Sequence, residues 1–86
     1  MKIILFTAIW CPSCLIMRPR YKELIKNDSQ TTLEEVDFDD HPDLVKQFKI
    51  GNILPVAIVF NNQKQEIKRI VGEVSSKKLA VMWLEL

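Results

Sequence analysis

The chain has 86 residues, of which 48% are hydrophobic, so it has the size of one domain that buries a single apolar core without metals or several disulfides. Its twelve Lys and Arg residues nearly balance its eleven Asp and Glu residues, which leaves a net charge of +1. The basic residues are spread among acidic ones, so neither nucleic acid nor an anionic membrane is predicted as a partner. We interpret residues 1–86 as a single domain and expect a monomer.

The N-terminal segment superficially resembles the start of a secretory signal. Its apolar run, Ile3 to Phe6, is short and is followed by Cys11-Pro12 before any small-residue cleavage site. The chain also lacks a stretch of about 18 apolar residues, so we predict no transmembrane helix. We expect a cytoplasmic location, where thiol pairs are usually catalytic or sensing rather than structural.

The first half of the chain predicts two strands and two helices. Lys2 to Phe6 is short and apolar and indicates a buried strand, and a helix is predicted to begin at Cys11 and to end before Asn27. Pro19 should kink this helix. Leu33 to Phe38 indicates a second strand, and a short second helix follows the loop Asp39 to Asp43 and ends before Gly51. The predicted buried residues of the two helices are Leu15, Ile16, Tyr21, Leu24 and Ile25 in the first and Leu44, Val45 and Phe48 in the second.

The second half predicts a hairpin and a final helix. Pro55 to Phe60 indicates a third strand, and a turn leads from it into a fourth strand, Gln65 to Val71, which should pair with the third in an antiparallel hairpin. Ser75 is the predicted N-cap of the last helix. The residues of that helix expected to pack on the sheet are Leu79, Ala80, Trp83 and Leu86. The order βαβαββα predicts an α/β fold with a four-stranded mixed sheet and helices on both faces.

Both cysteines fall in one segment, Trp10-Cys11-Pro12-Ser13-Cys14, where the first strand turns into the first helix. Unpaired N–H groups at a helix N-terminus favour a thiolate over a thiol, and Cys11 lies at that position. A thiol pair that opens and closes by disulfide exchange is the favoured interpretation.

A zinc site and a structural disulfide are the alternative uses of the cysteine pair. A structural zinc site needs about four ligands, and with His41 the chain offers three, so zinc would require a dimer that shares ligands. A purely structural disulfide over a two-residue gap would stabilise the fold only weakly. We predict no metal and no bound cofactor beyond a Cys11–Cys14 disulfide.

The chain resembles the thioredoxin superfamily along nearly its whole length. The similarity is carried by the cysteine segment at the end of the first strand, by Pro19, by Val36-Asp37-Phe38-Asp39 followed by Pro42, by Leu54-Pro55, and by Arg69-Ile70-Val71-Gly72. The resemblance implies a minimal thioredoxin-like fold.

The resemblance also implies roles for individual residues. Cys11 would be the attacking nucleophile and Cys14 the resolving thiol, so the protein would reduce protein disulfides by dithiol exchange. Pro55 would be a cis-proline that faces the cysteines and leaves the backbone of Leu54 free to pair with a substrate strand; a trans proline at the start of an edge strand is the alternative. The remaining substrate-binding candidates are Trp10, which could instead be a core residue, Pro12, and Gly72, which could instead serve a turn.

One departure from thioredoxin concerns the proton of Cys14. Thioredoxins carry a buried aspartate in the first strand, thought to take this proton, and the matching position here is Leu5. Glu35 matches the neighbouring position on the second strand, so we hypothesise that it is the general base. The alternative is that Glu35 is an ordinary exposed strand residue.

A second departure concerns the electron source. The chain is glutaredoxin-sized, which suggests glutathione, but Gly72-Glu73-Val74-Ser75 lacks the Gly-Gly and following Asp by which glutaredoxins hold glutathione. Protein disulfides as substrates and a thioredoxin reductase, a flavin enzyme, as electron donor are therefore favoured. A glutathione-dependent electron donor and a noncatalytic thioredoxin-fold interaction module are the alternatives.

Overall fold

A computed structural model describes residues 1–86, and its elements follow the predicted order βαβαββα. The strands and helices are β1 (Lys2–Thr7), α1 (Pro12–Ile25), β2 (Thr32–Asp37), α2 (Pro42–Gln47), β3 (Val56–Phe60), β4 (Glu66–Val71) and α3 (Ser76–Leu84). Each predicted element is present with its bounds shifted by at most a few residues. No helix is long and apolar enough to cross a membrane.

The four strands form one mixed sheet in the order β2-β1-β3-β4. β1 and β2 are parallel and are joined by α1, whereas β1 pairs antiparallel with β3, and β3 pairs antiparallel with β4. The predicted mixed sheet and its hairpin are confirmed. The carboxyl ends of β1 and β2 therefore lie at one edge of the sheet, next to the first turn of α1.

Alternation along β1 and β3 divides the core between the two faces of the sheet. Ile3, Leu5, Ala57 and Val59 pack in one cluster with residues of α1 and α3. Phe6, Val56 and Ile58 belong to the other cluster, against which residues of α2 pack. Helices therefore cover both faces, as predicted.

The predicted buried stripe of α1 is wrong at its first two positions. Leu15 is 67% exposed and Ile16 is 42% exposed, whereas Met17 is fully buried. The buried residues of α1 are Cys14, Met17 and Tyr21, which are three and four residues apart and share one face of the helix. Each residue turns the helix by about 100°, so Leu15 and Ile16 point away from that face, one on either side of it.

The predicted packing of α3 is correct for Leu79 and Trp83 and wrong for Ala80 and Leu86. Leu79 is buried and Trp83 packs against the cluster, but Ala80 is exposed and Leu86 is 43% exposed. The side chain of Ala80 points about 100° away from that of Leu79 around the helix axis, and Leu86 lies beyond the last helical residue. The predicted N-cap is confirmed, since the Ser75 hydroxyl accepts a hydrogen bond of 3.1 Å from the backbone N–H of Lys78.

Tyr21 carries a fully buried hydroxyl with no hydrogen-bond partner in the protein. An unpaired buried hydroxyl costs about 1–3 kcal/mol, so Tyr21→Phe should raise the free energy of unfolding by about 1 kcal/mol. Urea denaturation followed by circular dichroism measures the change. Tyr21→Leu is the control, because it removes the ring as well as the hydroxyl and should lower stability. A less stable Tyr21→Phe protein would contradict the expectation.

Candidate redox site

The start of α1 brings the two cysteines together. Cys11 is the N-cap residue with extended backbone angles, and its sulfur accepts a hydrogen bond of 3.3 Å from the backbone N–H of Cys14. Pro12 follows in the first helical turn, where a missing backbone N–H is tolerated. Both cysteines are free thiols and both are buried, with 6% of Cys11 and 2% of Cys14 exposed. The helix N-terminus thus directs a backbone donor at the Cys11 sulfur.

The loop before β3 faces Cys11 from the opposite side. The Leu54–Pro55 peptide bond is cis, as predicted. The Cys11 thiol donates a long hydrogen bond of 3.6 Å to the carbonyl oxygen of Leu54, whose side chain is buried. The backbone N–H of Gly72 donates to the carbonyl oxygen of Pro55 at 2.8 Å. Four of the predicted site residues, Cys11, Leu54, Pro55 and Gly72, are therefore joined in one cluster of contacts.

Gly72 adopts a φ of +82°, in the left-handed region that residues with a side chain rarely adopt. A Cβ atom at this position would lie 3.5 Å from Cγ2 of Ile53, which is ordinary contact, so the backbone angle rather than space requires glycine here. The turn interpretation of Gly72 is thus supported.

Trp10 lies at the surface and not in the core. It is 57% exposed, and its indole N–H donates a hydrogen bond of 2.8 Å to the Asp39 carboxylate. Its ring meets Phe38 edge to face, with the ring centres 6.1 Å apart. The core alternative is therefore wrong for Trp10. Sequence reasoning gave Asp39 no role in the site, although Asp39 belongs to the segment that carries the family resemblance and lies just after β2, at the same sheet edge as the cysteines.

Glu73 is a second residue that sequence reasoning missed. The Ser13 hydroxyl donates a hydrogen bond of 3.3 Å to the Glu73 carboxylate, so the loop after β4 contacts the first turn of α1. Two exposed apolar side chains adjoin predicted site residues in the sequence. Ile9 precedes Trp10 and is 91% exposed, and Ile53 precedes Leu54 and is 64% exposed. The cysteines are thus bordered by both apolar and acidic groups.

A cleft of about 360 Å³ reaches Cys14 from the side of β2. The strand register sets Glu35 directly beside Leu5, as expected from the sequence, and Glu35 lines this cleft together with Cys14. Both Glu35 oxygens accept hydrogen bonds of 3.0 Å, from Nε and from Nη2 of Arg18. Arg18 was not singled out from the sequence, although its position four residues after Cys14 on a helix was a usable signal. The residues that line the cleft are Thr7, Ala8, Ile9, Cys14, Leu15, Arg18, Glu35 and Asp37.

The two thiols have different surroundings. Burial raises the pKa of Cys14 to about 12, and the hydrogen bond with Cys11 acts in the same direction. The positive charge of Arg18 acts in the opposite direction. Cys14 is therefore a protonated thiol near neutral pH, and it needs help to become a nucleophile.

The residues present offer little to a metal ion. No group of three or more His, Cys, Asp and Glu side chains is arranged to hold one. His41 is exposed at the start of α2, with Nδ1 3.3 Å from the carbonyl oxygen of Asp37, so it does not join the cysteines.

Comparison with known proteins gives consistent matches. A thioredoxin H-type protein of Fagopyrum esculentum is 34% identical over 70 residues, which cover 81% of this chain and 59% of the relative. A thioredoxin of Chlamydia caviae is 34% identical over 67 residues, which cover 78% of this chain and 64% of the relative. The chain thus spans less than two thirds of the length of these relatives.

Solved structures and a family model extend the match over the whole fold. The structure of thioredoxin-2 from a malaria parasite superposes with a TM-score of 0.85 at 27% identity, covering 99% of this chain and 82% of that one. The model of the family described as Thioredoxin matches residues 1–84. That range contains all seven strands and helices and both cysteines, so the chain belongs to the thioredoxin family.

Proposed function

We propose that this domain, residues 1–86, is a thiol-disulfide oxidoreductase that reduces protein disulfides by dithiol exchange through Cys11 and Cys14. The observation that carries the proposal is the arrangement at the start of α1, where Cys11 receives a backbone N–H and lies three residues before a second free thiol. The noncatalytic alternative gives these two thiols only a packing role in the core and does not account for the backbone donor directed at the Cys11 sulfur.

The reaction proceeds in two exchanges. The Cys11 thiolate attacks one sulfur of a substrate disulfide, which forms a mixed disulfide and releases the first substrate thiolate. Cys14 then loses its proton and attacks the Cys11 sulfur, which forms the Cys11–Cys14 disulfide and releases the second substrate thiolate. An external donor afterwards returns two electrons to the protein disulfide. The Cys11–Cys14 disulfide is the redox group, and no other cofactor is needed.

The surface around Cys11 suits an extended protein segment. Trp10 and Pro12 are exposed on either side of Cys11 in the sequence, and Ile53 is exposed just before Leu54. The Leu54 carbonyl oxygen contacts the Cys11 sulfur, and the Gly72 N–H contacts the Pro55 carbonyl oxygen. We propose Trp10, Pro12, Leu54, Pro55 and Gly72 as the substrate-binding residues. Backbone pairing would supply affinity for many sequences, which fits a reductase with several substrates.

The proposed electron donor is a thioredoxin reductase, and the proposed compartment is the cytoplasm. The segment Gly72 to Ser75 folds as a glycine turn followed by the N-cap of α3, without the Gly-Gly-Asp arrangement of glutaredoxins. Glutathione is the competing donor. We propose that the domain acts as a monomer.

Insulin reduction with dithiothreitol tests the function. The protein should accelerate the precipitation of insulin chains well above the rate with dithiothreitol alone, because the Cys11 thiolate attacks the insulin disulfides faster than dithiothreitol does. Replacing dithiothreitol by NADPH with thioredoxin reductase, or by glutathione with glutathione reductase, identifies the donor, and the first pair is expected to support turnover. Failure of every donor to give catalysis would contradict the proposed function.

A further inference from the structure

Strand β1 offers no carboxylate that could take the Cys14 proton, so an acceptor must come from elsewhere in the cleft beside Cys14. The residue of β1 beside Glu35 is Leu5, which is fully buried and cannot accept a proton. The charged or titratable groups that line the cleft are Cys14 and Arg18 from α1 and Glu35 and Asp37 from β2, while Thr7 and Ala8 near the end of β1 contribute none. The Cys11 sulfur accepts a hydrogen bond from the backbone N–H of Cys14 and does not line the cleft. Any group that takes the Cys14 proton within the cleft therefore comes from β2.

Arg18 contacts Glu35 and lines the same cleft as Cys14. Its guanidinium makes the two-pronged contact with Glu35, at 3.0 Å for each pair of atoms, across the gap between α1 and β2. It also follows Cys14 by four residues, so both side chains project from the same face of α1 into one cleft. Arg18 and Glu35 are 41% and 31% exposed, which leaves the guanidinium room to change partner.

We propose that Glu35 accepts the Cys14 proton across the cleft and that Arg18 then pairs with the Cys14 thiolate in place of Glu35. Arg18 is thus a positioning residue whose guanidinium changes its anionic partner during the transfer. Before the transfer it holds a carboxylate, and after the transfer it stabilises a thiolate. The net charge of the group Cys14, Arg18 and Glu35 is the same in both states, so the cleft gains no unpaired charge.

The inference rests on the proposed function, since it describes how the second exchange begins. The S–H bond of Cys14 breaks, its proton goes to a Glu35 oxygen, and the electron pair stays on sulfur. That pair forms the bond to the Cys11 sulfur, and the bond between Cys11 and the substrate sulfur breaks. The substrate leaves as a thiolate, and the Glu35 proton returns to solvent when the oxidised protein re-forms the Arg18–Glu35 ion pair.

Arg18 acts on the Cys14 pKa in the direction that this exchange requires. Burial raises that pKa, and the positive charge of Arg18 lowers it, so Arg18 favours the Cys14 thiolate. Removing Arg18 and removing Glu35 should therefore have opposite effects on the Cys14 thiolate. Arg18→Gln removes the stabilising charge, whereas Glu35→Gln removes the anion that competes for it.

The first experiment measures the Cys14 thiolate at equilibrium. In a Cys11→Ser background Cys14 is the only thiol, and its rate of alkylation by iodoacetamide at mildly alkaline pH reports the thiolate fraction. Arg18→Gln should slow alkylation about tenfold, which corresponds to one unit of pKa, and Glu35→Gln should accelerate it. Lys22→Gln on the next turn of α1 and Glu34→Gln, which breaks the exposed Lys2–Glu34 pair, are the matched controls and should leave the rate unchanged. An unchanged rate in Arg18→Gln would overturn the inference.

The second experiment measures the resolving step in the protein with both cysteines. Dithiobis(nitrobenzoate) reacts with Cys11 and releases one thionitrobenzoate, and attack by Cys14 releases the second, so stopped-flow absorbance separates the two steps. The second phase should slow about tenfold in Arg18→Gln, for the same one unit of pKa. It should also slow in Glu35→Gln, because the proton acceptor is lost although the thiolate is favoured.

The outcomes separate the inference from the proposed function. A merely structural ion pair would change both variants in the same direction in both experiments, and so would partial unfolding, which urea denaturation detects independently. A second phase that is as fast in Glu35→Gln as in the unmodified protein, or faster, would overturn the role of Glu35. If the unmodified protein releases no second thionitrobenzoate, the proposed function itself fails.

Discussion

Cys11→Ser should reduce the rate of insulin reduction to that of dithiothreitol alone. A serine hydroxyl is not ionised near neutral pH, so it cannot form the mixed disulfide, and the remaining thiol does not replace it. Cys14 is 2% exposed and burial raises its pKa to about 12, so it is mostly protonated and too buried to meet a disulfide of a folded protein substrate. The loss should therefore be complete rather than partial, and the turbidity assay with and without the variant measures it.

Ser13→Ala is the matched control for this prediction. It changes the same helical turn and removes a hydroxyl that contacts Glu73, but it leaves both sulfurs in place. We expect it to retain catalysis of insulin reduction. A Cys11→Ser protein that is folded by circular dichroism and still accelerates insulin reduction would contradict the assignment of Cys11 as the nucleophile.

The order of elements and the cysteine site could be predicted because their signals are local. Strands such as Lys2 to Phe6 are short apolar runs, and Ser75 is an N-cap residue followed by a helical pattern. The cysteine pair at a strand-to-helix junction is likewise a signal of a few neighbouring residues, so it required no knowledge of tertiary contacts. The placing of Leu54 and Pro55 opposite the cysteines came instead from the resemblance to the thioredoxin superfamily.

The exposed faces of the helices were harder to predict. Counting aliphatic and aromatic residues placed Leu15 and Ile16 in the α1 stripe, but Cys14 and Met17 fill the buried positions. Cysteine and methionine pack as readily as leucine, and a helix beside a functional site can expose apolar residues. The sequence pattern of α1 therefore does not determine which face of the helix is buried. That face is set by the packing of α1 against the sheet.

The polar contacts around the site could not be predicted from sequence. The pairs Trp10–Asp39, Ser13–Glu73 and Arg18–Glu35 join residues that are 29, 60 and 17 positions apart. Their formation depends on which strand ends lie at the same sheet edge and on side-chain rotamers. Glu35 was found because strand pairing relates it to Leu5, whereas its partner Arg18 lies on α1 and outside that argument.

Cys14→Ser should stop the reaction at the mixed disulfide. The variant retains Cys11 and the backbone N–H at position 14, so the first exchange proceeds, but no second thiolate is available to release the substrate. Reaction with dithiobis(nitrobenzoate) should release one thionitrobenzoate per protein instead of two, and mass spectrometry should find the adduct at Cys11. In the insulin assay each turnover would wait for dithiothreitol to cleave the adduct, so catalysis falls strongly. The double variant Cys11→Ser, Cys14→Ser is the control and should form no adduct. Turnover of insulin by Cys14→Ser at the rate of the unmodified protein would show that Cys14 is not the resolving thiol, and the Arg18–Glu35 exchange would then have no step to serve.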